Sequence, residues 1–351
     1  MAKEVTPEQI AQIDEMVARA HTALDIIATY DQQRVDRLCQ AVAAAVCDMK
    51  VWAPICDEAV DETSLGDKVT KRNKRNKIKL ILRDCLRQPS VGIIEENPAK
   101  GLVKYAKPAG VIASLVPTTN PCLTPAGQIV YAIKARDVMI CSPHPRAKVV
   151  TNKIIDIIRA TLVREGAPAD IIQGIKDPSI NLTKVLMERC DLVIATGGRP
   201  MVKSAYSSGT PAYGSGAGNA TVIIDDTCNT PERQKEAAEN TRISKTSDFG
   251  SGCSCDGNLV IHESIYDDFV KALVAEGAYL ANEEEAEKLK KVMWDETGHR
   301  LPNTVAISPQ KLALAAGFEI PEDRKFIAVT GGGINDIGKE HFFSSEKLTT
   351  L

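Results

Sequence analysis

Two of the ten cysteines in this 351-residue chain, Cys253 and Cys255, stand in a run of small residues, Gly250-Ser-Gly-Cys-Ser-Cys-Asp-Gly-Asn258. Small neighbours leave a thiol room to meet a substrate, so the run could hold a nucleophile. Two thiols could also bind a metal, but no second pair or nearby histidine completes a tetrahedral set. Cysteine also serves as a small core hydrophobe, the ordinary reading for Cys39, Cys47 and Cys190. Asn120, in Thr118-Thr-Asn-Pro121, could cap a helix or donate its amide N–H to a developing oxyanion. Ala195-Thr-Gly-Gly198 is a glycine turn between an apolar run and a helical pattern; its N–H groups suit a phosphate, and glycine equally suits any tight turn. Gly214-Ser-Gly-Ala-Gly218 looks like a dinucleotide fingerprint, but it precedes the strand Thr221–Ile224 where a fingerprint should follow one. Gly331-Gly332-Gly333 reads as a plain turn.

These residues need elements to position them. Ile10, Ile13, Val17, Ala20 and Leu24, then Val35, Leu38, Val42, Ala45 and Val46, recur at helical spacing, so the first ninety residues read as helical. Thr6-Pro7 supplies a cap and a first-turn proline. Lys71, Arg72, Lys74, Arg75, Lys77 and Lys79 crowd together and read as a solvated helix face, with a phosphate-binding patch as the alternative. From about residue 103, short apolar runs (Val111–Val116, Val138–Cys141, Ile171–Ile175, Leu192–Ala195, Thr221–Ile224) alternate with amphipathic segments (Ala126–Lys134, Ala147–Arg164, Leu182–Arg189, Met201–Ser207). That alternation predicts βαβ units on a parallel sheet, with ligands beyond the carboxyl ends of the strands. Beyond residue 225 the helical stretch Glu232–Lys245 leads into the cysteine loop, followed by a strand Leu259–His262, helices Tyr266–Leu280 and Glu283–Trp294, and a strand Phe326–Val329. The expected domains are therefore 1–225, a nucleotide-binding α/β domain with N-terminal helices, and 226–351, a thiol domain.

Composition narrows the function. Basic residues number 43 and acidic ones 46, a net charge of −3, so the basic footprint of a nucleic-acid binder is absent. No apolar run is long enough to cross a bilayer and the start lacks a secretory core, so no membrane role is expected. The scattered cysteines point to a reducing cytoplasm.

Taken in order, the motifs resemble the CoA-acylating branch of the aldehyde dehydrogenase superfamily, including sulfoacetaldehyde dehydrogenases and the aldehyde half of aldehyde-alcohol dehydrogenases. The carriers are Glu62-Thr-Ser-Leu-Gly66, Val116-Pro-Thr-Thr-Asn-Pro121, Ser142-Pro-His-Pro-Arg-Ala-Lys148, Ala195-Thr-Gly-Gly198, Gly216-Ala-Gly-Asn219, Ser244-Lys-Thr246 and the Cys253 loop. The resemblance implies an aldehyde dehydrogenase-like α/β fold with a Rossmann-type cofactor domain and an α/β catalytic domain. It implies NAD or NADP as cofactor, coenzyme A and a small aldehyde as substrates, and a homo-oligomer. Cys253 takes the catalytic thiol's position, with Asn120 holding the oxyanion. Thr196, Gly197, Gly198 and Gly216 fall among the cofactor contacts, as do Ser142, His144 and Arg146 in the loop bordering the adenosine. Glu346 falls where a carboxylate meets the nicotinamide ribose. The family's chains normally run about a hundred residues past the position of Leu351, so the C-terminal part of the catalytic domain is expected to be missing.

Hydrolysing members carry a glutamate in a Glu-Leu-Gly-Gly segment; here Tyr213–Asn219 has no carboxylate, so a thioester would wait for a better nucleophile than water. Ser251 and Gly252 stand just before the thiol, where acetaldehyde enzymes are usually bulkier; Ser254 and Cys255 follow, and Arg242 precedes the loop. A polar pocket with a guanidinium suits a small anionic aldehyde such as sulfoacetaldehyde, with a surface salt bridge as the alternative for Arg242. Acetaldehyde or propanal oxidation, a hydrolysing dehydrogenase and an inactive NAD-binding protein are the competing readings.

Overall fold

The computed structural model describes residues 5–331, 337–338 and 340–351. Of the Gly331–Gly333 turn, Gly332 and Gly333 lie outside the described residues. The chain divides into two units, Met1–Ser64 with Arg72–Gly216, and Leu65–Lys71 with Ala217–Leu351.

The first unit begins with three helices whose starts are written locally. Thr6 caps α1 (Pro7–Ile27) in a reciprocal pairing with Gln9; Asp31 caps α2 (Gln32–Cys47), and Asp48 caps α3 (Met49–Thr63). Each buries one stripe, such as Ile13, Val17, Ala20 and Ile27 on α1. The short α4 (Lys68–Lys71) belongs with the second unit. Helix α5 (Arg75–Leu86) is followed by an antiparallel hairpin, β1 (Gly92–Asn97) and β2 (Leu102–Ala106), which the sequence pattern does not announce.

The rest of the unit is a parallel sheet. In chain order it runs β3 (Val111–Val116), α6 (Leu123–Ala135), β4 (Val138–Pro143), α7 (Lys148–Arg164), β5 (Ile172–Gly174), α8 (Ile180–Arg189), β6 (Leu192–Thr196), α9 (Arg199–Tyr206) and β7 (Ala212–Ser215). All six residues of β3 and of β4 are buried, as expected of strands covered by helices on both faces. The spatial order is β5-β4-β3-β6-β7, so the winding reverses between β3 and β6. That reversal opens a crevice beyond the carboxyl ends of these two strands.

The second unit pairs β8 (Ala220–Ile224) with β9 (Asp256–Ile261), in parallel, across α10 (Pro231–Thr246). Helix α11 (Tyr266–Ala275) ends earlier than its apolar run suggests. The expected helix to Leu280 gives way to β10 (Ala278–Ala281), which pairs in parallel with β11 (Phe326–Val329). Phe269, Leu273, Ala278 and Phe326 form one core; α12 (Glu283–Met293) and α13 (Pro309–Ala315) contribute Leu289, Met293, Leu312 and Ala313 to another. No single described helix is long and apolar enough to cross a membrane.

Candidate functional site

In the first unit, the residues expected to bind cofactor and oxyanion cluster by topology. The Asn120 loop leaves the carboxyl end of β3, the Ser142–Lys148 loop leaves that of β4, and the Thr196 turn leaves that of β6. These strands are parallel neighbours, so the three loops share one sheet edge. Gly198 caps the first turn of α9 without a side chain, and Met201 N and Val202 N donate to its carbonyl at 3.0 and 3.2 Å. Gly197 donates its own N–H to Ser215 O, 3.1 Å away, which closes the turn against β7. The strand–glycine turn–helix at the winding reversal fits a pyrophosphate.

Other side chains of this edge are occupied by the protein. Ser142 is buried and its hydroxyl lies 2.7 Å from Thr183 Oγ1. His144 accepts from Arg146 N at 3.1 Å; burial, and then the Arg146 charge, push its imidazole below the ordinary value. The Arg146 guanidinium donates to Thr63 O at 2.9 Å, so it braces the end of α3. Gly216 is exposed after β7.

A side chain at Gly214 would require its neighbours to shift. A Cβ there would stand 2.6 Å from Val202 Cγ1 and 2.8 Å from the Tyr206 ring, while Gly214 N donates to Tyr206 Oη at 3.0 Å.

The basic run does not form one solvated face. Lys77 and Lys79 are exposed, but Lys71 and Lys74 are buried. Lys74 Nζ donates to Asn120 Oδ1 at 2.6 Å, within the first unit. Within the first unit, Lys74, Ile78 and Cys85 recur at helical spacing and are all buried.

In the second unit, the cysteine loop is held from below. After α10, Asp248 and Phe249 adopt left-handed backbone conformations (φ 52° and 48°) that turn the chain sharply. The Asp248 carboxylate has no exposed surface. Its Oδ2 accepts from Lys71 Nζ at 2.8 Å and from Ser251 Oγ at 2.6 Å, and its Oδ1 accepts from Asp67 N at 2.9 Å. Asp248 N donates to Thr70 Oγ1 at 2.7 Å. Leu65–Lys71 thus fastens the turn that precedes Cys253. Gly66, with φ +85°, must stay a glycine, because a Cβ would lie 1.8 Å from Asp248 Oδ1.

Ser251 is 1% exposed and donates to Asp248 Oδ2, so its hydroxyl supports the loop from inside. Arg242 lies on α10, ahead of that loop. Its guanidinium is bound to Glu276 (2.8 Å) and Glu239 (3.2 Å), and it lines a surface depression with Val274, Gly277 and Lys325 instead of residues of the thiol loop. Its charge is therefore neutralised by carboxylates, the salt-bridge alternative.

Cys253 and Ser254 are exposed. Seven cysteines are buried, and Cys228 and Cys255 are half-buried. Burial pushes the Cys39, Cys141 and Cys190 thiols up to about 12, which leaves them protonated and inert. Glu346 accepts from Gly218 N at 3.4 Å; burial raises its carboxyl above the ordinary range, opposed by the Arg300 charge. Arg300 donates to Lys347 O at 2.8 Å and holds the segment in place. Lys347 in turn donates to Asn258 Oδ1 at 2.8 Å, with burial lowering its ammonium to about 7. Among the described residues no cluster of histidine, cysteine and carboxylate side chains could hold a metal ion.

The family model described as the aldehyde dehydrogenase family matches residues 3–292. The chain is 40% identical over 342 residues to a sulfoacetaldehyde dehydrogenase from Acholeplasma sp, a match covering 95% of this chain and 69% of that protein. It is 37% identical over 341 residues to a succinate-semialdehyde dehydrogenase (acetylating) from Clostridium kluyveri, covering 96% and 72%. Among solved structures, an acetylating aldehyde dehydrogenase from Geobacillus thermoglucosidasius superposes with a TM-score of 0.89 at 32% identity, covering 98% of this chain and 74% of that one.

Proposed function

Since the chain belongs to the aldehyde dehydrogenase family, we propose that it oxidises a small aldehyde with NAD or NADP and delivers the acyl group to coenzyme A, with sulfoacetaldehyde as the aldehyde and sulfoacetyl-CoA as the product. One observation carries the choice of acceptor. The Tyr213–Asn219 segment, where hydrolysing relatives keep a glutamate, has no acid side chain, and a side chain at position 214 would crowd Val202 and Tyr206.

The chemistry assigned to this chain begins at sulfur. The Cys253 thiolate adds to the aldehyde carbon; a C–S bond forms and the carbonyl π pair moves onto oxygen. The Asn120 amide N–H and a backbone N–H near Cys253 stabilise that oxyanion. The chemistry supplied there by a bound nicotinamide cofactor would be hydride acceptance, which lets the C=O bond re-form. Thr196, Gly197 and Gly198 would hold its pyrophosphate, with Ser142, His144, Arg146 and Gly216 around them, and Glu346 would meet the ribose. The remaining thioester lacks a base to activate water, so it persists until the CoA thiolate adds to its carbonyl carbon and expels Cys253.

Sulfoacetaldehyde is favoured by two things. Relatives named for sulfoacetaldehyde and for succinate semialdehyde are among the most similar, and both compounds are small anionic aldehydes. The small residues Gly252 and Ser254 also leave a polar space beside the thiol. Product identification with sulfoacetaldehyde, NAD and CoA, each omitted in turn, tests the reading. The expected result is NADH and sulfoacetyl-CoA in equal amounts, and no multiple turnover without CoA. Free acid at a comparable rate without CoA would overturn the acceptor. Equal or higher kcat/KM on acetaldehyde would overturn the aldehyde. Arg242→Leu should leave the ratio of the two activities unchanged.

A further inference from the structure

Lys74 is buried at the amino end of α5 with its ammonium 2.6 Å from Asn120 Oδ1. Its backbone is pinned at this place. Trp52 Nε1 donates to Arg72 O at 2.9 Å, and the Arg72 guanidinium grips the Asp57 carboxylate through contacts of 2.6 and 2.9 Å. An ammonium carries donors only, so the amide atom facing it must be the oxygen. The Asn120 amide consequently cannot turn over, and Nδ2 points away from Lys74, with Thr119 Oγ1 at 3.4 Å. A positive charge on Oδ1 also withdraws density from the amide nitrogen and strengthens its N–H as a donor.

We propose that Lys74 is a positioning residue, which locks and polarises the Asn120 amide so that Nδ2–H is the group offered to the oxyanion. This rests on the role given to Asn120 above, and the test separates the two. Kinetics are measured on the full chain carrying Lys74→Met, Asn120→Ala and the pair together. Asn120→Ala is expected to lower kcat about a hundredfold, the scale of losing one oxyanion donor. Lys74→Met is expected to lower kcat about tenfold, as for loss of a buried charge-assisted hydrogen bond. The KM for NAD and the rate of Cys253 alkylation by iodoacetamide should not change. In the Asn120→Ala background, Lys74→Met should cost nothing further, an outcome that a merely structural lysine would not give. Lys74→Arg, which keeps a cationic donor, should restore most of the activity. Full kcat in Lys74→Met, or a loss that multiplies with that of Asn120→Ala, overturns the proposal for Lys74 alone. Full kcat in Asn120→Ala overturns the oxyanion assignment and this proposal with it. If Lys74→Met fails to fold, Lys74→Gln carries the same comparison, since it keeps a donor without the charge.

Discussion

Cys253→Ser is expected to abolish aldehyde-dependent NADH formation, by more than about a thousandfold, without moving the thermal midpoint. A hydroxyl in place of the thiol is a far weaker nucleophile at neutral pH, because so little of it is ionised. The side chain is exposed, so its loss removes no packing and should change stability by less than about 0.5 kcal/mol. The informative control is Cys255→Ser, two residues along. Cys255 is half-buried and its N–H closes a turn onto Gly252 O at 3.0 Å. That variant should keep most of its activity. An inactive Cys255→Ser beside an active Cys253→Ser would exchange the two assignments.

The second large effect is on the support beneath the thiol. Lys71→Met and Asp248→Asn should each destabilise the second unit by about 3–5 kcal/mol, because either change leaves one charge or its partners uncompensated in a buried site. The midpoint of that unit's unfolding should fall by on the order of 10 °C. The double variant Lys71→Met/Asp248→Asn should cost much less than the sum, since it removes both charges. Denaturant titrations of the four proteins measure this directly. Single-variant costs below about 1 kcal/mol would show that Lys71–Asp248 is not the fastening of the loop. Additive costs would show that the two residues act apart.

How well these features could be read from the sequence depends on whether their partners are local. Helices α1 and α2 are legible because Ile13, Val17 and Ala20, and Val35, Leu38 and Val42, repeat at the helical period and do become the buried stripe. Strands β3 and β4 are legible as uninterrupted apolar runs for the same reason that they are buried on both faces. The β1–β2 hairpin escapes notice because its residues are almost all exposed and so lack one apolar face. Strand β10 is mistaken for the end of α11 because Ala278–Ala281 prolongs an apolar run already in progress, and its pairing with Phe326–Val329 lies nearly fifty residues on.

The site shows the same division. A reactive-looking thiol among glycines and a glycine turn after a strand are local patterns. The partners of Ser251 and Arg242, Asp248 for one and Glu276 for the other, are decided by tertiary structure and leave no local signal. Lys71 and Lys74 are hidden by composition, since six basic side chains in nine residues suggest solvent while each of these two is buried in its own unit. Their burial costs free energy that a carboxylate beside Lys71 and an amide oxygen beside Lys74, each at hydrogen-bond distance, help to offset. It is this pairing that makes them informative about function.

Intact-protein mass spectrometry followed by peptide mapping reaches the central step most directly. The chain is mixed with aldehyde and NAD but no CoA, then CoA is added. The expected result is a mass gain of one acyl group, mapped to the peptide containing Cys253 and stable for many minutes, that disappears on addition of CoA as acyl-CoA forms. Release of free acid with no adduct, or an adduct on another residue, would contradict a thioester at Cys253 that waits for a second thiol.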